Sequence, residues 1–461
     1  MPTEKPLSIT IDREILLQGI PDSLDQFLLS ELKIPNPKWL ENDRMGRWNR
    51  ETPKTLCFYT RTPDGGLILP RGYMGQLVRC CQKEGIDYRI YDHRQLLPLL
   101  DFTFTGLLKP FQQAAVDAMA PKHFGTLTAP TGSGKTIMAM SLIANRRQPA
   151  LIVVHTKDLA DQWINRIENF LNIPATDVGR IGGGKKQIGT HITVALVQSL
   201  YKCAEEIAPH IGFLIVDECH RCPSRTFTEA VSLFDSKYML GLSATPWRRD
   251  NLSKLIFWHL GDIQHSIDNH QLVDSGDILS PEVFFRLTEF KAHHDPTKFY
   301  SKMLAELTAD DSRNRLIAED VAMEAQETDG ICLVLSDRKH HCETLKAILT
   351  YRHKIAVDVL TGDVEASQRA MIIKQLSEGN IKVLIATGQL LGEGFDCPNL
   401  SSLFLATPIR FSGRVLQYIG RVLRPAPGKH GAKIFDYVDV HVGVLKSAAI
   451  ARQAVYNGKG D

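Results

Sequence analysis

From about residue 106 onward, short unbroken apolar runs alternate with longer stretches whose apolar residues return every three or four positions. The runs ALIVVHT (150–156), ITVALV (192–197), FLIVDE (213–218) and YMLGLSAT (238–245) lack a polar face, which predicts parallel strands buried on both sides. A second series follows: ICLVLSD (331–337), AVDVLTG (356–362), IKVLIAT (381–387), LSSLFLAT (400–407) and AKIFDYV (432–438). Stretches such as TIMAMSLIANRR and RAMIIKQLSEG predict the intervening helices. Two consecutive βα series predict an α/β fold of two tandem, doubly wound parallel-sheet lobes. Residues 1–100 have another texture, with Pro- and Gly-marked breaks (IPNPKW, TPDGG, LPRG) between short apolar stretches, which predicts a small α+β domain. The expected division is 1–100, 101–275 and 276–461, with the join of the lobes in the polar region around 265–325.

Composition adds limits. The 461 residues are enough for three cores, and 43% hydrophobic and 23% charged residues are ordinary for a globular chain. A formal charge of +2 means that any polyanion-binding surface is local. No run approaches the roughly 18–20 apolar residues that span a bilayer, so no membrane partner is expected. The start, MPTEKPLSITIDREILL, lacks the form of a secretory signal, and nine cysteines, an odd number, predict reduced thiols. The expected location is the cytoplasm of a bacterial or phage-infected cell, or the nucleus of a eukaryotic one.

The chemistry begins at APTGSGKT (129–136), which follows the run GTLTA and opens a helical stretch, as a phosphate-binding loop requires. Thr131, Gly132, Ser133 and Gly134 would wrap phosphate, Lys135 would meet the β- and γ-phosphates, and the Thr136 hydroxyl would meet Mg²⁺. ATP and Mg²⁺ are the expected cofactors. Asp217 and Glu218 end the FLIVD strand. Asp217 would hold Mg²⁺ through water, with Glu218 orienting and deprotonating the attacking water. The same stretch, FLIVDECHRC, offers Cys219, His220 and Cys222 as zinc ligands. Cys219 and His220 are adjacent, which strains shared ligation, and no second Cys pair stands at finger spacing, so the phosphate chemistry is preferred. Upstream, LKPFQQ offers Phe111 to pack on a base and Gln112 to read its edge. GLSATP puts Ser243 and Thr245 at the next strand end, where hydroxyls can couple nucleotide state to lobe movement. In QYIGRVLR, Arg421 and Arg424 stand three apart on one helical face and can reach a γ-phosphate.

These motifs, in this order, resemble the superfamily 2 helicases and translocases over about 106–440. The set is LKPFQQ, APTGSGKT, HTKDLADQW, DECH, SAT, TGDVEASQR, ATGQLLGEGFD and QYIGRVLR. The resemblance implies RecA-like lobes and adds His220, Gln417, Gly392 and Asp396 to the nucleotide site. WRRD, with Arg248, Arg249 and Asp250, resembles the Arg-Glu-Asp element of the XPB branch, with Arg249 at the position of its Glu. Compact phage branch-migration helicases of the UvsW type are similar too. Nucleic-acid contacts implied by the resemblance are Thr156, Lys157, Gln162, Gln198 and Ser199 in the first lobe. In the second they are Ser336, Arg338, Thr361, Gly362 and Thr387.

The N-terminal domain carries eleven basic against seven acidic residues over 38–94, interleaved with Trp39, Trp48, Tyr59, Tyr73 and Tyr88. Both a phosphate-and-stacking surface and a small-domain core account for that composition. The resemblance implies a damage- or junction-recognition domain here. The whole chain is expected to be an ATP-dependent DNA helicase or translocase on branched or forked DNA. Fork regression, Holliday-junction branch migration or unwinding, in replication, recombination or repair, would be its work. The expected molecule is monomeric or weakly self-associating. An RNA helicase, or a motor or clamp component of a restriction or repair assembly, stands as the alternative.

Overall fold

The computed structural model describes residues 6–221, 225–244, 252–388, 399–409, 418–420, 422, 429 and 431–456. The chain forms two compact units, one of residues 1–129 and 134–266, the other of 130–133 and 267–461.

The first unit opens with a five-stranded sheet in the order Thr60–Arg61, Leu67–Pro70, Glu14–Gln18, Leu7–Ile11, Tyr88–Asp92. Along Leu7–Ile11 every second residue is buried, the period of a strand with one face on a core. Helices Asp22–Glu31 and Met74–Glu84 add Leu24, Leu28, Leu77 and Cys81 to that core. The core does not close by itself. Leu255 and Trp258, from the helix Ser253–Leu260 next to the α/β sheet, are part of it, and Trp258 is only 1% exposed. A Cβ on Gly72 would lie 2.5 Å from both Gly261 N and Phe257 O, so only glycine lets the two backbones meet. Arg71 is buried in this seam and donates to Asp12 O at 3.2 Å and Ser236 O at 3.1 Å. Tyr73 is buried there too. Two members of the expected basic and aromatic surface are therefore structural.

The α/β sheet of this unit has eight strands: Lys185–Gln187, Gly179–Gly182, Ile192–Leu196, Ala150–Val154, Phe213–Val216, Tyr238–Ser243, Phe124–Thr128 and Ile263–Ser266. All neighbours are parallel except the first pair. The strands Ala150–Val154, Ile192–Leu196 and Phe213–Val216 are buried at every position, as their continuous apolar runs require. Leu200, Ile207, Val231, Ile256 and Leu260 pack from helices onto Leu151, Val153, Leu214 and Val216.

The second unit holds a six-stranded, wholly parallel sheet: Pro281–Thr288, Ala432–Asp439, Leu400–Leu405, Ile331–Leu335, Val383–Ala386, Val357–Leu360. Phe284, Phe435 and Phe404 stack across its first three strands, with ring centroids 5.0 and 4.4 Å apart. The polar region around 265–325, within which the unit boundary at 266/267 falls, contains the edge strand Pro281–Thr288 and the helices Tyr300–Ala309 and Asp311–Glu327. The half-exposed edge strand alternates PEVFFRLT, so it lacks the continuous apolar run of its neighbours.

Candidate functional site

In the first unit the parallel order brings strand C-termini to one edge, where loops carry the chemistry. Pairing continues just beyond the strands: Ala129 N–H donates to Ser243 O at 2.9 Å, and Asp217 N–H to Val153 O at 3.0 Å. Residues distant in sequence are thereby set side by side.

The loop after Phe124–Thr128 turns on Gly132 (φ +92°) and Gly134 (φ +87°), values that a side chain would disfavour. The helix Lys135–Arg146 starts immediately after, leaving its first N–H groups without intrahelical partners. Lys135 Nζ donates to Ala129 O at 3.0 Å, which folds the side chain back along the loop. Ser133 Oγ donates to Pro130 O at 2.7 Å and is buried. Thr131 and Thr136 are half-buried in the same loop and first helical turn, and Gly132 is exposed. Gln112 is buried on the helix Pro110–Met119 and accepts from Lys109 N–H at 2.9 Å. Its amide nitrogen occupies the space that a Cβ on Gly134 would need, so it touches the phosphate loop itself. Phe111 is half-buried beside it.

Asp217 follows the strand Phe213–Val216 and is 8% exposed. Trp163 Nε1 donates to its Oδ2 at 2.8 Å, and Glu218 N–H to its Oδ1 at 2.9 Å. Burial and the adjacent Glu218 carboxylate push Asp217 up to about 6, against which Trp163 and Lys135 pull down. Glu218 takes a left-handed backbone (φ +48°), a strained choice for a non-glycine that turns its carboxylate toward His220, 3.3 Å away. His220 Nδ1 in turn lies 3.0 Å from Ser243 Oγ at the neighbouring strand end. The expected coupling serine and the acid strand are thus in contact through one imidazole. Cys219 is buried in the core below, and burial pushes its thiol strongly up. Among the described residues no group of three or more His, Cys, Asp or Glu side chains could hold a metal by itself.

The donor set fits Mg²⁺ and a polyphosphate. Two adjacent carboxylates, one of them buried, stand beside a glycine-turned helix N-terminus and a lysine.

The expected nucleic-acid residues divide. In the first unit Thr156 caps the helix Lys157–Leu171, its Oγ1 accepting from Leu159 N–H at 3.3 Å. Lys157 and Gln198 are exposed, and Gln162 and Ser199 half-buried. In the second unit Gly362 is open to solvent, Thr361 is buried by its residue exposure, and Thr387 N–H donates to Leu360 O at 3.2 Å. The Ser336 hydroxyl is buried. That hydroxyl lies 2.9 Å from His341 Nδ1 and accepts from Arg338 N–H at 3.2 Å, while His341 Nε2 lies 2.8 Å from Asn314 Oδ1. It shapes the turn that carries Arg338. Thr245, Arg248, Arg249, Asp250, Gly392, Asp396, Gln417, Arg421 and Arg424, with Cys222, lie outside the described residues.

Sequence reasoning missed Trp163, His341 and Asn314. Trp163 belongs to the buried stripe Ala160, Trp163, Ile164, Ile167 and Leu171 of its helix and reads as core. Its one signal is that a buried indole N–H needs an acceptor.

Comparison with known proteins adds two family matches. Residues 105–248 match the family described as "Type III restriction enzyme, res subunit", and residues 313–426 the "Helicase conserved C-terminal domain". A relative from Acanthamoeba polyphaga mimivirus, provisionally described as an ATP-dependent RNA helicase, is 29% identical over 77% of this chain and 68% of its own. The DNA 3'-5' translocase XPB2 of Sulfurisphaera tokodaii is 28% identical over 69% of this chain and 78% of its own. The ATP-dependent DNA helicase uvsW of Enterobacteria phage T4 is 24% identical over 91% of this chain and 87% of its own. Among solved structures, S. cerevisiae Dbp5 bound to RNA and ADP BeF3 has a TM-score of 0.56 at 16% identity, covering 76% of this chain and 88% of its own. That last likeness is one of fold.

Proposed function

Because this chain belongs to the superfamily 2 helicases and is an ATP-dependent helicase of two tandem RecA-like domains, we propose that its substrate is branched or forked DNA. Fork regression or junction migration, in the manner of the phage enzymes it resembles, is the work that this reading assigns. The uvsW alignment supports it by taking in 91% of this chain, more than the two family matches span. The DNA 3'-5' translocase among the relatives supports a 3'-to-5' direction.

The observation that carries the chemistry is the pair of adjacent carboxylates Asp217 and Glu218, in which burial and the Glu218 charge both raise the cost of ionising Asp217. It lies at the end of Phe213–Val216, beside the strand that ends at Ser243, which in turn pairs with the strand leading into the lysine loop. Lys135 and the loop N–H groups would hold the phosphates, and Thr136 with Asp217 the Mg²⁺. When bound, Mg²⁺·ATP supplies the cleavable phosphoanhydride and the positive charge that the carboxylates lack. Glu218 is the base that orients water and takes its proton, and His220 links that glutamate to Ser243. Arg421, Arg424 and Gln417 are assigned to the charge developing on the γ-phosphate, and Thr245 to coupling. Gly392 and Asp396 are assigned to the nucleotide, and the Arg248–Asp250 loop to steering the duplex.

The test is ATP turnover of the purified chain with single-stranded DNA, forked DNA, a four-way junction and RNA. Strongest stimulation by the fork or junction is expected. RNA as the strongest activator would overturn the DNA reading in favour of a second one, which the description of the mimivirus relative supports.

A further inference from the structure

Residues 33–57 leave the N-terminal domain as an arm. The antiparallel pair Lys33–Pro35 and Thr55–Cys57 closes its base, and the helix Pro37–Arg44 forms one side. That helix buries no residue, so apolar packing does not hold it. Asparagines do. Asn36 caps the helix by accepting from Lys38 N–H at 3.0 Å and donates from Nδ2 to Pro53 O at 2.8 Å. Asn42 Nδ2 donates to Asn49 Oδ1 at 3.0 Å, and Asn49 Nδ2 to Trp39 O at 3.1 Å. The return loop is pinned to the helix by polar groups, and its apolar side chains are left facing water.

Trp48, at the tip, is 78% exposed, with Met45 and Leu40 also exposed nearby. The other indole of the arm, Trp39, has Lys54 over its ring at 5.3 Å, whereas Trp48 has no ring or cation contact among the described residues. The arm carries six basic and three acidic residues, a net of +3, while the formal charge of the whole chain is +2. Arg44, Arg47 and Arg50 flank Trp48, all three exposed and outside every ion pair among the described residues. Elsewhere in this domain Arg61 is paired with Asp25, Arg79 with Asp262 and Arg94 with Asp92.

An open indole among unpaired guanidiniums suits one chemistry. Any base offers a π-face for stacking, and the phosphates beside it offer charge. We propose that the 33–57 arm binds an unpaired nucleic-acid strand, with Trp48 stacking on a base and Arg44, Arg47 and Arg50 meeting the adjacent phosphates. An intact duplex has its base faces covered, so the arm distinguishes the open strand of a fork or junction from blunt duplex. This rests on the helicase reading and names the part of the substrate that the N-terminal domain recognises.

The test uses the full chain with fluorescently labelled single-stranded, forked and blunt duplex DNA, read by anisotropy across a salt series. Trp48→Ala is expected to weaken single-strand and fork binding by about five- to a hundredfold. Its effect on blunt duplex should be less than about twofold and its nucleic-acid-free ATP turnover normal, and Trp48→Phe should restore most of the binding. The double variant Arg47→Ala/Arg50→Ala is expected to flatten the salt dependence of single-strand binding by about one to two counterions. Equal loss on duplex and fork would overturn the stacking role. Unchanged binding to all three DNAs, with stimulation of turnover intact, would overturn the arm alone and turn the exposed tip into a protein-docking surface. Turnover that no nucleic acid stimulates would instead overturn the helicase reading beneath it.

Discussion

The two units bury charge in opposite ways. In the second, Arg313 Nε meets Asp439 Oδ1 at 2.8 Å with both side chains 1% exposed, and Thr288 Oγ1 donates to the same carboxylate at 2.5 Å. Arg452 brackets Asp436 at 2.8 and 2.6 Å, with the Tyr456 hydroxyl at 2.7 Å. Each of these two buried carboxylates has a guanidinium of its own. In the first unit Asp217 is buried against another carboxylate, with an indole and a backbone amide as its hydrogen-bond donors. The first arrangement holds a sheet together. The second sets two carboxylates side by side at a buried strand end, a cost to the resting protein that a bound cation would relieve.

Removing charge should therefore act with opposite signs in the two places. Asp439→Asn leaves Arg313 buried without its counter-ion and is expected to cost about 3–5 kcal/mol of stability in urea unfolding. A variant as stable as the parent would erase the contrast. Lys135→Ala and Glu218→Gln should each lower ATP turnover at least about hundredfold, equivalent to ~2.7 kcal/mol of barrier, with little change in the urea midpoint. Normal turnover in either would remove the residue from the site.

Asp217→Asn should likewise abolish turnover yet stabilise the nucleotide-free protein by about 1 kcal/mol, seen as a raised melting temperature. The sign follows from its raised value. Folding takes up a proton between the ordinary carboxylate value of 3.8 and about 6, so stability falls as pH rises through that window. The penalty is complete above it, and the asparagine variant should lose this slope. Smallest is Trp163→Phe, which removes the donor to Asp217. About 1 kcal/mol of stability and a few-fold loss of turnover are expected, and an unchanged turnover would make the indole mere packing.

The paired strands and the phosphate loop were legible because continuous apolar runs and GSGKT each express a single physical requirement. Edge strands such as KKQ and IQHS were not, since they need no apolar run, and GRIG beside KKQ is too short and glycine-rich to show one. Motif residues could be named, but their support could not. Trp163 looked like core, and the chain Asn314–His341–Ser336 joins two segments that only the fold brings together. Ser336 is a contact that the resemblance implies, and nothing in LSDRK says that its hydroxyl is buried. The seam at Arg71 and Gly72 was hidden for the same reason, as LPRG reads as a simple turn.

That seam has a mechanical meaning. With backbone against backbone at Gly72 and Trp258 plugged into the N-terminal core, the junction has no soft joint, and the small sheet is a stiff outrigger of the lobe that carries Lys135 and Asp217. Torque applied to the outrigger by a strand under tension is passed to that lobe without slack. Amputating it would leave the lobe it braces with Trp258 stripped of its cover.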